Sequence, residues 1–368
     1  MQFSSPLSKI VSIVTAFLVL ISTLMAITPP SRVTAQVKNV IYMIGDGMGE
    51  NHLEKTKAET GVNLVMETFP LRGKAKTYAF GGITTDSAAG GTALATGEKT
   101  INGCIGVYPT DPLALNGYPI SLTEYAISIG KKTGIVTTDS TGGATPAAFS
   151  AHTSSRSSND EIARQQVESA IDLIWGKSAG VYDEPTTQGY GRKYISTLSQ
   201  MNELTANDKS YGQFTSDMWA ESIIASDTPT LTQMTVKAIE LLDNDEEGFF
   251  LMVEGAHIDK HSHSNNASDM MLSLIEFDNA IAAALDFAER DGETLVIVTA
   301  DHETGKITFN GSTYEYESTS HSSADVPLFV FGCNSFINQD EVINNTQVAV
   351  FTARAMGAAP EDFPKKAA

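Results

Sequence analysis

The sequence predicts an α/β protein built on a doubly wound, mostly parallel central sheet with helices on both faces. Three observations predict it. Short apolar, β-branched runs recur along the chain, stretches of helical period separate them, and Asp, Glu and His stand directly after several of the runs. Runs without polar alternation suit strands covered on both faces. Strands alternating with helices argue for a parallel sheet, and such sheets collect ligands at the carboxyl ends of their strands.

The strands are expected at Val37–Ile44, Thr133–Thr137, Gly248–Val253, Thr294–Thr299 and Val326–Phe331. Ser121-x-x-Glu124 and Ser158-x-x-Glu161 read as capping boxes, with Gly130 closing the first of these helices. Thr228-Pro229 suits an N-cap and first helical position ahead of Thr230–Leu242. Asn266–Arg290 carries Leu274, Phe277, Ile281 and Leu285 on one face. Residues 174–227 show little periodicity beyond Met218–Ile224 and read as a less regular surface excursion or lid. One catalytic domain over 36–368 is expected.

Lys9, an apolar run from Ile10 to Ile27 and Val33-Thr34-Ala35 read as a secretory signal peptide cleaved after Ala35. Export to the periplasm or medium is expected, with no stable membrane span after cleavage; a retained membrane anchor is the rival reading, since the run is nearly long enough to span a bilayer. The 368 residues carry a formal charge of −20. That acidity argues against a nucleic-acid-binding surface, and it repels anionic substrates, so a phosphate site needs its own local cations. Cys104 and Cys333 either pair or remain buried thiols.

The motifs carry the chemistry. Asp46, in Gly45-Asp46-Gly47-Met48-Gly49 after the first strand, either bridges cations or satisfies turn amides. Asp86-Ser87-Ala88-Ala89-Gly90 suits a helix start, where Ser87 faces an anionic ligand or where Ser87 or Asp86 is simply the cap. Serine needs a base or a metal to become nucleophilic, and no local Ser-His-Asp pattern is present. Glu254, Asp259 and His263 are spaced at five and four residues, so Asp259 and His263 share a face if the segment is helical. Oxygen plus imidazole suits zinc with an open position; a solvated polar turn is the alternative. Asp301-His302-Glu303-Thr304-Gly305 follows a very apolar strand, and His321 precedes the last run. Arg156, in Thr145-Pro-Ala-Ala-Phe-Ser-Ala-His-Thr-Ser-Ser-Arg156, either grips phosphate in a bidentate manner or forms a surface ion pair.

Taken together from about Val37 to Gly332, D-S-A-A-G, E-x4-D-x3-H, D-H-E-T-G and the late H-S-x-x-x-V-P run resemble the bacterial alkaline phosphatases. The resemblance implies hydrolysis of small-molecule phosphate monoesters, with Ser87 as the nucleophile that becomes phosphoserine. It implies one Zn2+ on Asp259, His263 and His321, and a second on Asp46, Asp301 and His302 with the Ser87 oxygen. A third site, usually Mg2+, falls to Asp46, Thr145 and Glu254, and Arg156 matches the phosphate-clamping arginine. Three positions depart from the pattern. Gly143 stands where an Asp or His usually contacts the third metal, so magnesium is expected to bind weakly there. Lys260 is expected to lean toward phosphate or the third site, and Lys306 replaces a common Gly. The short span from Glu303 to His321 leaves no room for a large crown insertion. Homodimer and monomer both stay open. A phosphodiesterase of the same superfamily, or an exported metal- or phosphate-binding protein without turnover, are the rival readings.

Overall fold

The structure, a computed structural model, describes residues 37–214, 227–244, 246–333 and 335–367. The expected leader with its cleavage point and the Met218–Ile224 pattern lie outside the described residues. Along the chain the strands are β1 Asn39–Gly45, β2 Leu71–Lys76, β3 Lys132–Ser140, β4 Leu173–Lys177, β5 Lys193–Ile195, β6 Ser210–Phe214 and β7 Phe249–Gly255. There follow β8 Thr294–Thr299, β9 Glu303–Thr304, β10 Ile307–Phe309, β11 Tyr314–Tyr316, β12 His321–Ser322, β13 Val326–Phe331 and β14 Glu341–Asn344.

Ten of these form one sheet in the order β14-β2-β13-β8-β1-β7-β3-β4-β6-β5. Each of the five apolar runs forms one of its strands. β13 alone runs antiparallel to its neighbours β8 and β2, so the sheet is mostly parallel, as expected. β1, β7 and β8 are buried along their whole length. Side chains alternate across a sheet covered on both faces, so these strands show no polar alternation, and polar residues such as Asn39, Glu254, Thr294 and Thr299 stand near their ends. On one face Tyr42 meets Phe149, after the helix Ala144–Ala148. On the other, Phe277 of the helix Ala267–Asp291 lies against Gly45 and Gly255.

Helix starts follow local chemistry, with two corrections. Ser121 and Glu124 form the expected reciprocal cap. Ser158 does cap the helix Asn159–Glu168 by position, but no box forms: its backbone is not extended (ψ 60°), and the Glu161 carboxylate is taken by Arg164 and Gln165. The helix Leu231–Leu242 begins after Thr230, not Thr228, because Thr230 and Gln233 satisfy each other's amides.

Residues 174–214 are more regular than expected. They extend the sheet through β4, β6 and β5, anchored where Trp175 Nε1 donates to Ser210 Oγ at 2.8 Å. The buried Arg192 guanidinium donates to the carbonyls of Val167, Ile171 and Ser169, tying this edge to the preceding helix. These strands are three to five residues long and include buried Ser210 and Gln213, so their periodicity is hidden. Between Glu303 and His321 the chain makes only the β10–β11 hairpin and the β9–β12 pair. Cys104 and Cys333 are separate buried thiols.

Candidate functional site

The sheet order delivers the acidic residues to one place. β1 lies between β7 and β8, with Ile44 opposite Glu254 on one side and Thr299 on the other. Asp46 and Asp301 follow just past the ends of β1 and β8, and Thr137 of β3 stands opposite Glu254. Gly47 turns the chain with φ 73°, and a Cβ there would sit 2.8 Å from the Asp259 backbone. Only glycine accepts both the left-handed backbone and that approach. The helix His257–Ser262 is thereby seated against the end of β1.

Ser87 opens the helix Ser87–Thr96 but does not cap it. Asp86 is the cap, accepting from Ala89 N–H at 3.0 Å. Its other oxygen accepts from Gly103 N–H at 2.9 Å and from Arg156 Nη1 at 3.3 Å. The buried Ser87 hydroxyl is left for His302, whose Nε2 lies 3.1 Å away.

Hydrogen bonding settles which imidazole nitrogens carry protons. His263 Nδ1 lies 2.6 Å from the Thr319 carbonyl and His321 Nδ1 lies 2.9 Å from the Thr85 carbonyl, so both Nδ1 atoms donate. The Thr304 hydroxyl gives its one proton to Asp259, and must therefore accept from His302 Nδ1 at 3.2 Å. In neutral imidazoles this turns the Nε2 lone pairs inward, the arrangement that metal-ligating histidines use.

Two sets of donors result, each with its atoms within 4.8 Å of one another: Asp46, Asp301 and His302, and Asp259, His302 and His321. His302 Nε2 is 3.4 Å from Asp46 Oδ1 and 3.3 Å from Asp301 Oδ2. Those two buried oxygens have no hydrogen-bond partner among the described residues. His263, the exposed member, has Nε2 at 3.3 Å from Asp259 Oδ2 and 3.1 Å from His321 Nε2. Lone pairs facing one another in a buried space fit a cation, and mixed carboxylate and imidazole donors suit zinc.

The electrostatics agree. Burial, then the Asp301 charge, raises Asp46 well above the ordinary carboxylate range. Burial, then Asp259, pushes Asp301 up to about 7. Burial lowers His302 to about 3, keeping it neutral. Burial opposes ionisation of Asp259 too, but its bonds from His263 and Thr304 and the nearby His302 hold it below the usual range. The bond to Asp259 raises His263 to about 9, so without a cation its Nε2 keeps a proton near neutral pH, which a bound metal would displace. A cluster in which several carboxylates resist ionisation together is one that a divalent cation would relieve.

Beside Asp46, Glu254 accepts from the Thr137 hydroxyl, while Glu254 Oε1 and Thr145 Oγ1 are buried without a hydrogen-bond partner among the described residues. Burial, then Asp139, pushes Glu254 up to about 8. Lys260 pairs with Asp139. Gly143 does not leave this side bare: a Cβ there would meet the Asp139 carboxylate, with Cγ 2.9 Å away. Arg156 is two-fifths exposed on its Asp86 tether. Lys306 adopts φ 47°, the conformation for which glycine is favoured, and pairs with Glu317 at 2.8 Å.

Sequence reasoning passed over Thr304, Asp139, Thr137 and the tether made by Asp86. Thr304 lay within the D-H-E-T-G run, and Asp86 beside Ser87; nothing local singled out Asp139 or Thr137.

The family model described as Alkaline phosphatase matches residues 37–178 and 179–350. Alkaline phosphatase 4 of Bacillus subtilis is 37% identical over 76% of this chain, which spans 64% of that relative's length. The solved alkaline phosphatase from the Antarctic bacterium TAB5 is 31% identical with a TM-score of 0.77, covering 87% of this chain and 98% of that one. A mutant of the TAB5 enzyme with Mg bound in its M3 site is 29% identical with a TM-score of 0.76, covering 89% and 99%.

Proposed function

This chain belongs to the alkaline phosphatase family, and from that premise we propose that it hydrolyses phosphate monoesters through a phosphoserine on Ser87. One observation carries the reading: a buried serine hydroxyl 3.1 Å from His302 Nε2, a nitrogen that also faces Asp46 and Asp301. In this reading Asp259, His263 and His321 hold one zinc ion, and Asp46, Asp301 and His302 hold the second beside Ser87. Asp46, Thr145 and Glu254 hold magnesium, the ion bound in the M3 site of the TAB5 variant. Bound there, the ions lower the serine pKa and neutralise charge on the transferring phosphoryl group and the leaving oxygen.

The protein's own groups do the rest. Asp86 caps the helix, so Ser87 stands at its positive end, where the N-terminal dipole favours an arriving phosphate. Arg156, held beside Ser87 by Asp86, offers a planar fork to two phosphate oxygens. Lys260 stands at the same edge but is paired with Asp139, so cations bound at the site would offset the repulsion of a chain whose charge is −20. Ser87 attacks and the alcohol leaves; water then releases phosphate from the serine, so two inversions produce net retention at phosphorus. Among the described residues no helix is long and apolar enough to cross a membrane, and the leader supports export to the periplasm or medium.

The test is an acid quench during turnover of p-nitrophenyl phosphate. Phosphate recovered on Ser87, with the monoester cleaved faster than bis-p-nitrophenyl phosphate, is expected. Faster cleavage of the bis-ester, or an unlabelled serine, reverses the reading.

A further inference from the structure

The end of β3 is irregular in a way that bears on the third metal site. Its pairing with β4 shifts register between Val136 and Ser140, a bulge of the kind that re-aims side chains beside functional sites. The irregularity contains Asp139. Its backbone N–H donates to Thr137 Oγ1 at 2.8 Å, and that hydroxyl in turn donates to Glu254. The Asp139 Oδ1 atom is held by Lys260. Its Oδ2 lies over Gly143, at the spot where any side chain on residue 143 would begin. Gly143 itself precedes the helix Ala144–Ala148, two residues before Thr145. The buried Glu254 Oε1 and Thr145 Oγ1 atoms, each 1% exposed as residues, lack a hydrogen-bond partner among the described residues, so two buried oxygens are left to face an ion.

We propose that Asp139 is the additional carboxylate of this chain's third metal site, replacing from the end of β3 the side chain that Gly143 lacks. Its Oδ2 holds Mg2+ or one of the ion's waters, Lys260 fixes its Oδ1, and Gly143 is small because the space is already taken. The inference rests on the reading of Asp46, Thr145 and Glu254 as a magnesium site. It reverses the expectation that Gly143 weakens that site. Oxygen ligands and retained waters are what Mg2+ uses.

Calorimetric titration of Mg2+ into the zinc-loaded full-length protein tests it without reference to turnover. Asp139→Ala is expected to weaken Mg2+ binding by about 10- to 100-fold, the scale of losing a group that orients a metal's surroundings. Gly143→Asp alone is expected to weaken it as well, because two carboxylates collide. The double variant Asp139→Ala/Gly143→Asp is expected to recover to within about tenfold of the unaltered protein on the same scale. Asp139→Asn, which keeps the shape, guards against a folding defect, checked by melting in EDTA. Unchanged Mg2+ affinity in Asp139→Ala and Asp139→Asn, tighter binding in Gly143→Asp alone, or no Mg2+ binding by the unaltered protein each overturns the proposal. A protein that binds Mg2+ through Asp139 yet cleaves no monoester refutes the proposed function and leaves this assignment standing.

Discussion

Ser87 Oγ and His302 Nε2 lie 3.1 Å apart although 215 residues separate them. The helix begun by Asp86 and the turn after β8 meet there, and the Thr304 hydroxyl makes His302 present a lone pair to the serine. His302 Nδ1 faces the Thr304 hydroxyl rather than the carboxylate that orients a conventional general base. The expected consequences concern the serine, the buried acids and the hydroxyls that hold them.

Ser87→Ala is expected to lower kcat/KM on p-nitrophenyl phosphate at least about a thousandfold, roughly 4 kcal/mol of barrier. Asp86 remains to cap the helix, so stability should move by less than about 1 kcal/mol. Steady-state kinetics and urea unfolding read both. A variant retaining a tenth of the activity would remove Ser87 from the chemistry.

Metal-free protein should become less stable as pH rises from about 6.5 to about 8. Folded Asp301 and Glu254 hold protons to about 7 and about 8, whereas in the unfolded chain they release them near 4. In that window the folded state binds more protons than the unfolded one, so unfolding free energy falls with pH. Each buried carboxyl contributes up to about 1.4 kcal/mol per pH unit. His263, raised to about 9, acts in the same direction. His302, lowered to about 3, has its opposing effect below about 6.5, where the unfolded imidazole is charged. Urea midpoints of EDTA-treated protein at pH 6.5, 7.2 and 8 check the slope. A rising midpoint would contradict it, and zinc should flatten it.

Thr304→Val keeps the shape of the side chain but removes the proton given to Asp259 and the oxygen that accepts from His302 Nδ1. Zinc affinity, measured by chelator competition, should fall about 10- to 100-fold, with activity partly regained at high zinc. Leaving the buried partners unsatisfied should also cost the folded protein about 1–3 kcal/mol. Undiminished zinc affinity would show that these bonds do not orient the ligands.

Two substitutions at Asp86 separate its roles. Asp86→Ala loses the helix cap and the Arg156 tether, costing about 0.5–2 kcal/mol of stability. Asp86→Asn keeps a good cap while losing the charge that holds Arg156. Both should weaken inhibition by inorganic phosphate, and the alanine variant should melt earlier than the asparagine variant, which keeps the cap but loses the bond from Gly103 N–H. Equal melting losses would mean that the ion pair, not the cap, stabilises this corner.

Much was legible where local order and side-chain type suffice. Five apolar runs without alternation can be buried only on two faces, and they became strands of one sheet. Asp46, Glu254 and Asp301 stand at or just after the ends of β1, β7 and β8, so a parallel sheet brings them to one edge whatever its strand order. The spacing of Asp259 and His263 puts them on one face of a short helix, and they lie 3.3 Å apart. Tertiary structure decided the rest. Periodicity does not encode which strands become neighbours, so β1 lying between β7 and β8 was not readable, nor were the short edge strands β4, β5 and β6. The β3 bulge that carries Asp139 over Gly143 arises from pairing with β4. Which imidazole nitrogen keeps its proton depends on Thr304, Thr319 and Thr85 arriving from separate segments. Hydrophobic pattern is a property of each residue and its near neighbours, whereas pairing register and proton placement exist only once distant groups share the same few ångströms.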